Sequence, residues 1–393
     1  MGRDILIVGP SRYFLSGISY YTMGLANALA KDNNVSVVCL RKLLPRFLFP
    51  GKNRVGNQIS DIDFSDEVDV FDGVDYYNPK SWKDASAFIR RKHPQAMIVQ
   101  WWTSSVAHML LALSRTAKEE GCKIILEMHE VVDPIEHGNP LLRVYSKMFG
   151  KMLFPLADTF VTHSESDKKA ISSIYELDGR GIHVIPLVLN DQCRNRVDQP
   201  DAKKKLGLEN EFVVMTFGLI RTYKGIPYLI EAFNQLPGDV AENSRLLVVG
   251  EIWDDRPGIL ETVGSSPYSD RITLVDDYVP DSDVPTYFSA CDLVCLPYLR
   301  ASQSGVAHMA ANFGKPVVVS SVGGLVESMS SYEGTRFVPP KNVAAITKEI
   351  SGLYGAWKSG TVVEFEPPQI SWDTTVDKFG EVFSKSGLLG TTV

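Results

Sequence analysis

The apolar positions of this chain fall into short continuous runs, separated by longer stretches in which they recur every three to four residues. Asp4-Ile5-Leu6-Ile7-Val8-Gly9 is the first run, and its lack of alternation predicts a central parallel strand covered on both faces. A loop over 10–17 follows, and then Tyr20, Tyr21, Met23, Leu25, Ala28 and Leu29 at helical spacing. The same unit recurs, with strands expected at 35–40, 97–102, 123–128 and 159–162 and helices at 106–119 and 141–154. A further helix follows residue 164, with Ser164 or Ser166 as its N-cap, and His183-Val184-Ile185-Pro186 closes the set. A second set of strands is expected at 212–217, 245–249, 272–275, 293–296 and 316–319. Strands alternating with helices imply parallel sheets. The expected fold class is therefore α/β, with two Rossmann-like, doubly wound domains at 1–190 and 205–369 and a polar linker between them. The crevice between the two sheets is the expected binding site.

Composition narrows the class. At 393 residues the chain is too long for one ordinary core, and 44% hydrophobic with 22% charged residues excludes disorder, collagen and a membrane bundle. No apolar run approaches the roughly 20 residues that span a bilayer, and the start Met-Gly-Arg-Asp enters a strand at once, unlike a signal peptide. Five cysteines show no C-x-x-C spacing, and four lie in or beside apolar runs. A reducing compartment, a cytoplasmic location and no zinc are expected. Residues 1–190 hold 22 Lys and Arg against 21 Asp and Glu, and the remainder is acidic, so nucleic acid is not an expected partner.

Two basic stretches point elsewhere. In 41–54 five cations alternate with large apolar side chains, and proline and glycine forbid a long helix. These side chains either fold back onto the core or face an anionic bilayer, where each surface cation contributes about 1 kcal/mol. In 141–154, Arg143, Lys147 and Lys151 share one helix face; the helix covers the sheet or contacts membrane, the latter placing the protein peripherally at the inner face. The seven acids of 61–75 read as a solvated loop or edge hairpin, not a metal cage.

The chemistry concentrates at 216–225, Thr-Phe-Gly-Leu-Ile-Arg-Thr-Tyr-Lys-Gly. A strand ends in Gly218, Arg221 and Lys224 follow, and a helical pattern starts at Pro227. Such a turn brings N–H groups and cations to the carboxyl end of a parallel strand, where phosphates bind. Taken alone, R-x-x-K is also the pattern of an ordinary solvated turn.

With its neighbours, this turn resembles that of the family 4 glycosyltransferases, retaining enzymes of the two-domain GT-B fold. Their G-x-(I/L/R)-x-x-x-K-G turn is matched by 218–225, and their G-x-P-V-V tail by Gly314-Lys315-Pro316-Val317-Val318. The resemblance implies that Arg221 and Lys224 hold the diphosphate of a UDP- or GDP-sugar beside Gly218. It places the family's glycine-rich loop at Ser16-Gly17, puts His129, in Glu127-Met128-His129-Glu130, near the donor sugar, and returns segment 370–393 toward the first domain. The family's two glutamates fall at Ala301 and Met309, and no carboxylate lies between Tyr298 and Gly314. Ser302-Gln303-Ser304-Gly305 stands there instead, able to offer hydroxyls and N–H groups to phosphate and sugar. Asp281-Ser282-Asp283 carries the D-x-D of a different glycosyltransferase fold, but it precedes a helix whose N-terminus it is expected to cap.

The implied activity is retaining transfer of a hexose to a hydroxyl of a glycan or lipid-linked glycan. Arg221, Lys224 and the N–H groups of Ser304 and Gly305 serve in place of a metal, and His129 assists at the sugar. Two rivals are an epimerase of the same architecture and a non-catalytic sugar-nucleotide-binding scaffold, which the missing glutamates favour.

Overall fold

The computed structural model describes residues 2–13, 17–42, 63–130, 140–175, 177, 179–188, 196–361, 365–368 and 371–388. Ser16, residues 43–54 of the basic stretch and the side chain of Arg143 lie outside this description. The chain forms two compact units, residues 1–188 with 370–393, and residues 189–369.

The first unit runs β1 (Asp4–Pro10), α1 (Gly17–Ala30), β2 (Asn34–Lys42), β3 (Asp69–Asp75), α2 (Pro79–Lys92), β4 (Ala96–Trp101), α3 (Ala107–Glu119), β5 (Lys123–Met128), α4 (Pro140–Leu153), β6 (Thr159–Thr162), α5 (Glu165–Ile174) and β7 (Ile182–Val184). The strands form one parallel sheet in the order β3-β2-β1-β4-β5-β6-β7. Strands β4 and β6 are buried along their whole length, as their unbroken apolar runs require. Ser164 caps α5, its Oγ accepting from the Asp167 N–H at 3.0 Å.

The second unit runs α6 (Gln199–Leu206), β8 (Phe212–Phe217), α7 (Ile226–Asn234), α8 (Gly238–Glu242), β9 (Ser244–Val249), α9 (Arg256–Gly264), β10 (Ile272–Val275), α10 (Val284–Ala290), β11 (Leu293–Leu296), α11 (Gly305–Asn312), β12 (Val317–Ser320), α12 (Gly323–Met329), β13 (Thr335–Val338) and α13 (Val343–Lys358). Its parallel sheet has the order β10-β9-β8-β11-β12-β13. Strand order reverses at β1/β4 in one sheet and at β8/β11 in the other. Those are the switch points at which an open α/β sheet leaves a crevice beyond its strand ends.

Three expectations are corrected and one unexpected strand, β13, is added. The acidic stretch contains β3, a parallel edge strand on β2, where a loop or hairpin was expected. Half of the linker is α6, anchored by Lys203, whose Nζ reaches Asp292 at 2.7 Å and the Glu211 carbonyl at 2.8 Å. Strand β13 carries no continuous apolar run because three of its four positions are not buried. Asp283 occupies the N-cap position of α10 without a side-chain cap hydrogen bond; its carboxylate pairs with Lys205 at 3.4 Å.

The last helix, α14 (Trp372–Lys385), belongs to the first unit. Ser371 and Thr374 close a capping box at its start. Trp372 fits the bare backbone of Gly24 on α1, where any Cβ would collide with the indole. Helix α4 packs Tyr145 and Phe149 inward and leaves Val144, Met148 and Met152 exposed, at 67, 51 and 41%, beside exposed Lys147 and Lys151. No described helix is long and apolar enough to cross a membrane.

Candidate active site

The β8–α7 turn is held from three sides. Gly218 (φ +89°) and Gly225 (φ +68°) adopt the left-handed region, and a Cβ on Gly225 would strike the Pro297 carbonyl, so glycine is the residue that fits. Ile220 and Trp253 tie the turn to the segment after β9, with Ile220 N donating to the Glu251 carbonyl at 2.8 Å and Trp253 N donating to that of Ile220 at 2.9 Å. Leu299 N, after β11, donates to the Tyr223 carbonyl at 2.7 Å.

Within this frame the two cations differ. Arg221 Nε donates to Asp254 Oδ2 at 3.1 Å, the Thr222 N–H donates to the same oxygen at 3.2 Å, and the guanidinium lies over Trp253. Among the described residues the Nη groups of Arg221 make no hydrogen bond. Lys224 is buried, at 6% exposed. Its Nζ donates to the Phe217 carbonyl at 3.2 Å and lies 5.3 Å from the centre of the Tyr298 ring, with no carboxylate in ion-pair range among the described residues. Burial accordingly depresses its pKa below the ordinary 10.5, with Tyr223 opposing. A buried cation without a counter-anion is costly and is stabilised when an anion arrives.

Helix α11 completes the site in the second unit. Ser304 is its N-cap, accepting from the Ala307 N–H at 3.2 Å, and Val306 would lie 3.3 Å from a Cβ on Gly218. The structure thus brings Gly218, Lys224, Ser304 and Gly305 together at the β8/β11 switch point. Ser304 is also hydrogen-bonded to Tyr298, whose hydroxyl burial pushes up to about 12. Where the family's glutamates would stand, Met309 is part of the core and Ala301 abuts Gly323. His308, one residue before Met309, is buried and driven down to about 4 by desolvation, with Nε2 3.4 Å from the Gln303 amide oxygen. A neutral imidazole and an amide occupy the neighbourhood that carboxylates fill elsewhere. Asp254 and Tyr298 were not singled out from sequence. The acid pair Asp254-Asp255 just beyond a strand end was the available signal.

His129 and Gly17 lie in the first unit. Gly17 opens α1, with open space around its Cβ position. His129 follows β5 and is buried in a polar chain. Tyr21 OH donates to Glu127 Oε1 at 2.6 Å, and Gln100 Nε2 donates to Glu127 Oε2 at 3.1 Å. His129 Nε2 stands 3.5 Å from Glu127 Oε2, and its Nδ1 is 3.0 Å from His163 Nε2. His163 Nδ1 is 2.9 Å from the Ile185 carbonyl. Ligand-type atoms of Glu127, His129 and His163 lie within 4.8 Å of one another. The carboxylate oxygens and three of the four ring nitrogens are engaged in hydrogen bonds with one another and with their neighbours.

Comparison with known proteins bears on the family and the fold. Residues 15–192 match the family described as Glycosyltransferase Family 4, and residues 211–355 match that described as Glycosyl transferases group 1. The D-inositol 3-phosphate glycosyltransferase of Mycobacterium marinum is 26% identical over 234 residues, 56% of this chain and 48% of that protein. The chain spans about half the length of the curated relatives it matches. Among solved structures, the sucrose-phosphate synthase of Thermosynechococcus elongatus aligns with TM-score 0.72 at 18% identity, covering 97% of this chain and 98% of that one. The Anabaena protein HepE in complex with UDP and glucose aligns with TM-score 0.70 at 16% identity, covering 97% and 99%. These likenesses show the GT-B fold.

Proposed function

Because the chain belongs to the family 4, group 1 glycosyltransferases, we propose that it moves a hexose from a nucleotide-diphosphate sugar to an acceptor hydroxyl, with retention at the anomeric carbon and without a metal ion. The observation that carries this is Lys224, a buried cation lacking a counter-anion among the described residues, beside Arg221 and the N-terminus of α11. As the anomeric C–O bond breaks, negative charge grows on the departing diphosphate, and groups already aimed there lower the barrier. Arg221 Nη, Lys224 Nζ and the N–H groups at Ser304 and Gly305 supply that stabilisation. The acceptor attacks from the face the diphosphate leaves, its hydroxyl proton passing to a diphosphate oxygen, and His129 assists at the sugar. UDP is the first donor to test, since HepE is seen with UDP and glucose.

The acceptor is a glycan or lipid-linked glycan. The exposed Val144, Met148 and Met152 with Lys147 and Lys151 on α4 support contact with an anionic membrane surface. A phosphorylated sugar or cyclitol is the second acceptor class, favoured by the names of the Mycobacterium marinum and Thermosynechococcus elongatus proteins.

Calorimetric titration with UDP-, GDP-, ADP- and TDP-sugars in the presence of chelator tests the donor reading. Selective binding that fails in Arg221→Ala and Lys224→Ala is expected. No binding to any of the four would favour a scaffold, and interconversion of the donor sugar without acceptor would favour an epimerase.

A further inference from the structure

Around His129 the first sheet buries an acid and a second imidazole that sugar transfer does not by itself require. The Ile185 carbonyl can only accept, so His163 Nδ1 carries a proton. One proton must also lie between His163 Nε2 and His129 Nδ1, which are 3.0 Å apart. The last ring atom, His129 Nε2, is buried 3.5 Å from Glu127 Oε2 and makes no hydrogen bond of its own among the described residues. Glu127 already accepts from Tyr21 and Gln100, and Gln100 is itself oriented by Thr22, whose Oγ1 donates to its Oε1 at 2.5 Å. Two donors aimed at one carboxyl mark it as a carboxylate. Burial works against that charge, but the His129 and His163 rings and the Tyr21 hydroxyl outweigh it and hold the Glu127 pKa below its ordinary value. A bare lone pair on His129 Nε2 would face an anion in a low-dielectric interior.

We infer that Glu127 and His163 are positioning residues for His129, and that the two histidines together carry three ring protons on four nitrogens, with the Nε2–H of His129 presented on the Glu127 side. The pair holds one positive charge and Glu127 balances it. Which ring bears the charge depends on where the shared proton sits, but His129 keeps an Nε2 proton in either case. His129 is thereby fixed in protonation and ring orientation at the end of β5. The consequence for turnover rests on the proposed placement of His129 at the donor sugar; the proton count does not.

The test is a ring-nitrogen correlation spectrum of the full-length 15N-labelled protein at neutral pH, repeated on Glu127→Gln. Three protonated nitrogens in the His129–His163 pair, falling to two in the variant, are expected. Two in the wild-type protein, or three retained in Glu127→Gln, would overturn the inference, and the wild-type count decides the matter even if the variant does not fold. For turnover, Glu127→Gln should lower kcat roughly tenfold or more with donor KM little changed. His163→Gln, which keeps an acceptor for His129 Nδ1, should retain activity that His163→Leu loses. Equal kcat in Glu127→Gln and wild type would sink the positioning role. Failure of the wild-type protein to bind any nucleotide sugar would sink the transfer reading instead, leaving the spectrum to judge the dyad.

Discussion

Lys224 is buried at a cost to stability, and the proposed donor reading gives that burial a purpose. A side chain selected for stability would not bury an ammonium against one carbonyl and an aromatic ring. Lys224→Met should therefore leave the melting temperature unchanged or raised, while nucleotide-sugar affinity falls about 10- to 100-fold, as loss of a charge-assisted hydrogen bond implies. Calorimetry and thermal unfolding on one preparation check both. The pH dependence follows from the depressed pKa. Between the folded value and 10.5 the unfolded chain binds the extra proton, so this group's cost to stability disappears as pH rises through that window. A bound diphosphate keeps the proton in place, so donor affinity should weaken as pH climbs toward 10.5 in the wild type and stay flat in Lys224→Met. His308 works at the other end of the scale. Its folded value of about 4 lies below the ordinary 6.5, so its contribution is intact above 6.5 and is lost as pH falls to about 4. That loss amounts to about 3 kcal/mol, and His308→Asn should flatten denaturant midpoints across this range.

At the scale of elements, what could be read from sequence was what lies close together along the chain. Strands such as β4 and β8 announce themselves because burial on both faces demands an unbroken apolar run, whereas β3 and β13 sit at sheet edges and carry mixed patterns. The turn between β8 and α7 was legible for the same reason: Gly218, Arg221, Lys224 and Gly225 fall within eight residues. The partners that tune these groups were not. Asp254 reaches Arg221 across 33 residues and Tyr21 reaches Glu127 across 106, and only the sheet order brings them together. The turn itself depends on backbone shape. Gly225→Ala must place a Cβ against the Pro297 carbonyl at φ +68°, and it should destabilise the protein by more than about 1 kcal/mol. A chemical-denaturation midpoint no lower than wild type would show that the β8–α7 turn tolerates a different path.

On the scale of the whole molecule, the first unit is closed by a helix from the far end of the chain. Trp372 seats on Gly24 with its ring tilted against that of Tyr21, the residue that donates to Glu127. Trp372→Ala should cost roughly 2–4 kcal/mol and lower the unfolding midpoint of the first unit, read from a probe placed there, more than that of the second. The second unit, residues 189–369, interrupts the first in sequence. The order of synthesis follows from that interruption. A ribosome adding about 5–20 residues per second needs roughly 10–40 s to make the second unit before α14 can emerge. Through that interval the first sheet is fully translated yet lacks its closing helix, and the groove over Gly24 and Tyr21 is open to solvent or to a chaperone. The second unit, continuous in sequence, has no such wait, so the domain that begins translation first is the one that finishes folding last.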